Sequence, residues 1–314
     1  MAESEHVRRL SRELFMAAFT SEAAGVESWV IDRLVSLITE RDVAAGETIF
    51  AANQASEHVY FMSEGRIRLS REGAPPWTLE GRWVIGTLDA TLERPNARSA
   101  VALSDLRLVR IAADDWIALL EDSFPLARAV LVNAARSVAL LCDRLPPEPV
   151  VLTPPERPAA PLGSAPLDLI ERLLVLLDVP TMRGGGVQAL AELAAAADEV
   201  AFRPGEVVLP RGVARDRMLV IAEGLVEAAR ERPQVVLRFG RGQVAGGPVA
   251  IGEPSQAWEA RALEPTRALS FRLEDWFDAA QEHFDMLRAA LAAISDDRVR
   301  VLDRIALRED VVLT

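Results

Sequence analysis

The chain has 314 residues, half of them apolar, with a formal net charge of −12 and one cysteine. That length is ample for two domains with their own cores, and the acidic balance argues against a nucleic-acid partner, which needs a clustered basic face. All 35 basic residues are arginine, which excludes Schiff-base chemistry and the phosphate-loop lysine. Cys142 has no disulfide partner within the chain, as expected of a reducing cytoplasm. No apolar run approaches 18 residues without a charge and MAESEHVRRL lacks an apolar signal core, so neither membrane insertion nor secretion is expected.

In chain order, Val7 to Phe19 reads as an amphipathic helix with Leu10, Leu14 and Phe15 on one face. Ser28 to Arg41 reads as a second, with Trp29, Ile31, Leu34, Val35 and Ile38 at helical spacing. Short alternating or β-branched strands are expected at Thr48–Phe50, His58–Met62, Arg66–Ser70, Thr78–Leu79 and Leu106–Ile111. From the helix-start carboxylates Asp114 and Asp115 a single helix is expected to about Leu145. Its apolar positions Phe124, Ala127, Leu131, Ala134, Val138, Leu141 and Leu145 step by 3 and 4, the spacing of a helix-pairing seam. Pro146 to Pro166 contains eight prolines and reads as a stiff extended linker able to reach roughly 65 Å.

The second half repeats the first. Helices are expected at Leu167–Leu177 and Gln188–Ala197, and strands at Glu206–Leu209, Arg217–Ile221, Leu225–Ala229, Gln234–Phe239 and Arg267–Arg272. Gly86 falls on Gly246, Ala102-Leu103 on Ala262-Leu263, and Asp115-Trp116 on Asp275-Trp276 at a shift of 160 positions. Upstream, Gly46-Glu47 falls on Gly205-Glu206 and Glu64-Gly65 on Glu223-Gly224 at 159. Self-similarity at a fixed period decides the fold, and here the period is a whole domain. The seam recurs at Phe284, Leu287, Leu291, Ile294, Arg298, Val301 and Ile305, with Arg298 as its one charged position.

The strand, Gly-Glu turn, YFMSEGRIRLSRE, Gly86 and second strand leading to Asp114-Asp115-Trp116 resemble the cyclic-nucleotide-binding domain of the catabolite activator and kinase regulatory subunits. The resemblance runs from about Leu14 to Leu145 and from about Leu167 to Leu307. It implies a β-rich α+β fold of two tandem jelly-roll barrels, each with N-terminal helices and a long C-terminal helix. The expected domains are 1–145 and 167–314, joined by the linker 146–166. In the family, a Glu after the cassette glycine holds the ribose and an Arg ten positions after that glycine neutralises the cyclic phosphate. Here those positions are Thr87 and Asn96 in the first domain and Gly247 and Gln256, after Gly246, in the second. Losing both charged contacts removes about 5 kcal/mol, or between three and four decades of affinity. Pro248 in the second cassette removes a further backbone donor. Cyclic nucleotide is therefore not expected in either barrel. Arg98, two positions past Asn96, offers an alternative anion grip with Thr87 and Ser99, or else is a surface or seam-facing arginine.

His6, His58, His283 and Cys142 lack metal-ligand spacing, and no nucleophile–base–orienter set is present, so neither enzyme activity, metal nor cofactor is expected. The Gly240-Arg-Gly242 stretch reads as a barrel turn rather than a dinucleotide loop. No DNA-binding helix-turn-helix follows Ile305, and Arg-Glu-Asp-Val-Val-Leu-Thr reads either as a strand for a partner's sheet edge or as a frayed tail. Arg8-Arg9-Leu10-Ser11 is either one turn of the first helix or a kinase-recognition site. The expectation is a non-catalytic regulatory or scaffold protein for protein partners, with a small-ligand sensor of altered specificity as the alternative. The long helices are expected to pair within one chain as a pseudo-dimer, or between two chains as a homodimer.

Overall fold

The computed structural model describes residues 26, 28–145, 150–151, 162, 165–182, 184–213, 216–231, 234–246, 251–252, 258–307 and 311–313. The expected first helix with Arg8–Ser11, most of the proline-rich linker, Gly247, Pro248 and Gln256 lie outside these. The chain divides into two compact units, Met1–Val130 with Leu302–Thr314, and Leu131–Val301. Both divisions fall inside the long helices.

In unit 1, α1 (Ser28–Leu37) buries Val30, Ile31 and Leu34. The helix stops there rather than at Arg41. Thr39–Val43 forms β1, antiparallel to β8 (Leu106–Ala112), with Thr39 opposite Arg110 and Val43 opposite Leu106. The helical spacing of the segment yields to a ladder with residues more than sixty positions away, the usual way tertiary pairing overrides local pattern. The remaining strands are β2 (Thr48–Phe50), β3 (His58–Met62), β4 (Arg66–Arg71), β5 (Ala74–Glu80), β6 (Trp83–Ile85) and β7 (Ser99–Ala102), with α2 (Thr87–Thr91) between β6 and β7. They form one sheet in the order β1-β8-β3-β6 and another in which β5-β4-β7-β2 is extended by β17 (Val311–Leu313). Ile67, Leu79, Leu108, Ile111 and Met62 are fully buried between them. This is the mixed helix-and-strand barrel that the sequence predicts.

Two helices close the barrel where one was expected. Ala113–Asp122 is α3 and Phe124–Cys142 is α4, separated at Ser123, whose backbone is extended at φ −133 and ψ 96. On α3, Trp116 is buried edge-on to Phe61 and donates from Nε1 to Thr91 Oγ1 at 3.1 Å.

Unit 2 repeats the plan. After β9 (Val150–Val151), α5 (Leu169–Leu177) and α6 (Val187–Ala196) come β10 (Asp198–Phe202), β11 (Val207–Leu209), β12 (Arg217–Glu223), β13 (Leu225–Glu231), β14 (Gln234–Gly240), β15 (Glu259–Ala262) and β16 (Thr266–Arg272), then α7 (Leu273–Glu282) and α8 (Phe284–Ala306). The sheets are β10-β16-β12 and β11-β15-β13-β14-β9. Val244 makes a single bridge to Val220, standing in for β6. Trp276 is as buried as Trp116, but Ile251 replaces Thr91 and its Nε1 has no partner.

On α4, Leu126, Ala127, Ala129, Val130, Leu131, Ala135, Val138, Ala139, Leu141 and Cys142 are all buried. That is wider than a two-in-seven seam and makes α4 a core helix. It is long and apolar enough to cross a membrane by length and composition, yet 56% of that stretch is buried within protein.

The start of α5 is fixed electrostatically. Asp168 and Glu171 form a reciprocal capping box, and Glu199 on β10 accepts from Leu167 N at 2.7 Å and from Arg267 at 3.0 and 2.6 Å. Burial pushes the Glu199 carboxyl up, but Arg267, the Leu167 N–H and Arg172 outweigh it and hold the group below its usual value of 4.5. A depressed carboxylate stabilises the fold fully above the unfolded value and loses that contribution as pH falls through the folded one. Glu199→Gln is expected to cost about 2 kcal/mol at neutral pH and to flatten the acid limb of a stability–pH profile measured by urea unfolding. An unchanged limb contradicts this assignment.

Candidate functional site

In unit 1 the loop from Gly86 to Ser99 holds the positions that would grip a ligand. Gly86 sits at φ +81, and a Cβ there would meet the His58 carbonyl oxygen at 2.8 Å, so the turn from β6 into α2 requires glycine. Thr87 Oγ1 is buried without a hydrogen-bond partner. Asn96 is only 3% exposed and turned to structural use. Its Nδ2 donates to Ala51 O and Ala55 O at 3.3 and 3.4 Å, and its backbone exchanges bonds with Gln54 and Asn53. Asp89 accepts from Ala97 N at 3.0 Å and from Arg94 Nε at 2.7 Å, knitting the loop to itself. Ser99 Oγ accepts from Ala52 N at 2.9 Å.

Arg98 is therefore not grouped with Thr87 and Ser99. It is 5% exposed, its guanidinium lies 3.5 Å from the centre of the Trp77 ring, and Nη1 donates to Pro75 O at 3.0 Å. Its counter-ion is Asp303, from the last turn of α8: Arg98 Nη2 donates to Oδ1 at 2.8 Å and Arg71 donates to Oδ2. One carboxylate thus bridges two guanidiniums. Burial pulls the Arg98 pKa down to about 10, against the pull of Asp303 and with the push of Arg71. Trp77 Nε1 is itself buried and unpartnered. An arginine stacked on an indole and pinned by a carbonyl is a rigid, planar seat for an oxyanion, and here a side chain of the same chain fills it.

Sequence reasoning missed Asp303. The signal was present: Asp143-Arg144-Leu145 and Val150-Val151-Leu152 recur as Asp303-Arg304-Ile305 and Val311-Val312-Leu313. Both copies dock alike. In unit 2 Asp143 pairs with Arg230, 159 positions after Arg71, at 2.5 Å, and β9 runs parallel to β14 with Val150 opposite Leu237. In unit 1 β17 runs parallel to β5 with Val311 opposite Trp77, 160 positions before Leu237. The units differ beside the docked segment: Leu237 stands where unit 1 has Trp77, and Trp258, 1% exposed, stands where it has Arg98. In the second cassette Gly246 again has positive φ, at 88, and Gln243 caps the preceding turn by accepting from Gly240 N at 2.7 Å.

Of the expected seam positions, Leu131, Val138, Leu141, Leu287, Leu291, Ile294, Val301 and Ile305 are buried, and Phe124 and Phe284 are half-buried. Arg298 is half-buried with its Nε enclosed and unbonded, and burial lowers its pKa. Among the described residues no cluster of three or more His, Cys, Asp or Glu is placed to hold a metal.

A double-mutant cycle of Asp303→Asn and Arg98→Met is expected to return a coupling of about 2 kcal/mol in urea unfolding, the size of a charge-assisted pair that is mostly enclosed. Coupling within error of zero contradicts the pairing.

The Cyclic nucleotide-binding domain family matches residues 40–123 and 199–283. No curated protein matches the chain. Among solved structures, a regulatory subunit of a cAMP-independent protein kinase A from Trypanosoma brucei, a mutant bound to cAMP in the A site, is 15% identical, covering 92% of this chain and 90% of its own at a TM-score of 0.35. The regulatory domain of Toxoplasma gondii PKA, crystallised with cAMP, is 14% identical over 93% and 96% at 0.32. The corresponding Trypanosoma cruzi subunit, bound to guanosine, is 13% identical over 99% and 96% at 0.34. With both of its barrels matched, the chain belongs to the cyclic nucleotide-binding domain family.

Proposed function

We propose that this is a non-catalytic regulatory protein whose two barrels bind protein partners rather than cyclic nucleotides. The observation that carries the reading is the state of the anion seat in unit 1. The cassette position Asn96 is spent on loop carbonyls, and the buried guanidinium of Arg98 is answered by Asp303. In unit 2 the buried Trp258 stands at the sequence position of Arg98, so that cation is missing there.

The second reading, a small-ligand sensor of altered specificity, is favoured by the two unpartnered buried groups of unit 1, Thr87 Oγ1 and Trp77 Nε1. Thermal unfolding with cyclic AMP, cyclic GMP or guanosine at millimolar concentration separates the two. A ligand at 100 times its dissociation constant stabilises by about 2.7 kcal/mol, which moves a transition by several degrees. The protein-binding reading expects no shift, and a shift with any of the three replaces it with the sensor.

We further read the long helices as serving one chain. Their apolar positions are buried, and the ends of both helices are held by ion pairs to residues of this same chain. Light scattering is expected to give a mass near 34.2 kDa. A mass twice that assigns the helices to a homodimer.

A further inference from the structure

The chain carries the same docking segment twice, an acidic residue at a helix end seven or eight positions ahead of a short apolar strand. Each copy is received in the same way, by an arginine on the fourth strand of a barrel (β4 or β13) and by the free edge of the next strand. The residues between differ, Arg-Leu-Pro-Pro-Glu-Pro in one and Arg-Ile-Ala-Leu-Arg-Glu-Asp in the other. Recognition therefore rests on the carboxylate and the strand, the features of strand-addition binding, where the backbone ladder supplies affinity and a few side-chain contacts supply choice.

The receiving surface of unit 1 has more capacity than its occupant uses. Arg71 and Arg98 share one carboxylate, and the Trp77 indole N–H beside them has no acceptor. In unit 2 the corresponding surface offers Arg230 and a buried tryptophan. The contacts that recur in both copies are the strand ladder and the carboxylate, which in unit 1 are β17 on β5 and Asp303 on Arg71 and Arg98.

We infer that the β5 edge of unit 1, together with Arg71, Arg98 and Trp77, is a peptide-binding site for a partner segment with an acidic residue seven or eight positions ahead of a short apolar strand, and that Asp303 with Val311–Leu313 is its internal, displaceable occupant. The inference deepens the protein-binding reading above and rests on it. A partner segment adds a strand to β5 and presents its carboxylate to Arg98. Displacing the chain's own segment then releases the last turn of α8, so occupancy of the edge is coupled to that helix.

The test uses the full chain and a fluorescently labelled peptide of residues 301–314, followed by polarisation. Wild-type chain binds weakly, because its own segment competes within the molecule. Asp303→Asn weakens the competitor without touching the receiving surface, and binding tightens by about tenfold as the open fraction rises. Adding Arg98→Met to that variant, or using a peptide with its aspartate at position 303 replaced by asparagine, abolishes the gain. Hydrogen exchange on the wild-type chain gives a readout independent of the variants' folding: saturating peptide speeds exchange of the 311–313 amides. Peptide that binds none of these proteins, binds equally with and without its aspartate, or leaves those amides unchanged overturns the inference. Chains that exchange segments with one another, seen as a concentration-dependent dimer that peptide does not dissolve, assign the site to a second copy and overturn it as stated. Failure here with no cyclic-nucleotide shift leaves the protein-binding reading standing. A cyclic-nucleotide shift removes that reading itself.

Discussion

One carboxylate organises unit 1. Arg98 is buried against Trp77 with a carbonyl at one edge, and a guanidinium so placed cannot shed its charge near neutral pH even with its pKa drawn down to about 10. Leaving such a cation unanswered costs about 3–5 kcal/mol. The answer comes from Asp303, 205 positions along the chain. The electrostatic requirement of one buried residue just ahead of β7 thus bears on the end of α8 and, eight positions after Asp303, on the start of β17.

The two units solve the same packing problem differently. In unit 2 the buried Trp258 has the sequence position of Arg98, and Arg230 pairs with Asp143. Replacing a buried ionic group by a well-packed apolar one of similar volume is often neutral or stabilising. Stability alone therefore gives no reason to keep Arg98 in unit 1. What the charge adds is selectivity: an apolar lining accepts many side chains, whereas two guanidiniums beside an indole accept an oxyanion and reject the rest.

Much of the fold was legible in the sequence. The doubled period, ten of the barrel strands and Gly86 can be read from alternation and from a turn that only glycine tolerates. The misses have physical causes. Thr39–Val43 carries on the helical spacing of α1, and its strand identity depends on β8, more than sixty positions away. Ser99–Ala102 and Glu259–Ala262 are rich in alanine, which has little strand preference of its own. The break at Ser123 is a single extended residue between two good helices, and Pro125 in the first turn of α4 marks it, as proline at a helix start does. For Arg98 the sequence offers an anion grip with Thr87 and Ser99 or a surface or seam-facing position, and the structure has it buried and facing Asp303 on α8. The true partner lay on α8, where Asp303 follows Leu302 and falls between seam positions that had drawn attention only for their apolar residues. The repeated Asp-Arg-(Leu/Ile) and Val-Val-Leu carries meaning only through where the two segments dock.

The edges explain why the two docking segments are built as they are. Without β17 and β9, β5 and β14 would end their sheets with a row of unpaired backbone groups, the feature that invites another chain to pair. A two- or three-residue cover satisfies few of those groups, and a backbone ladder by itself reads little sequence, so a short strand has weak control of its register. The ion pair supplies that control by anchoring each segment seven or eight residues upstream of its strand. In unit 2 the anchor is the pairing of Asp143 with Arg230. In unit 1 it is a carboxylate shared between two guanidiniums, one of them buried. Any segment competing for β5 must therefore match Asp303 at Arg98 before its strand gains anything from the edge.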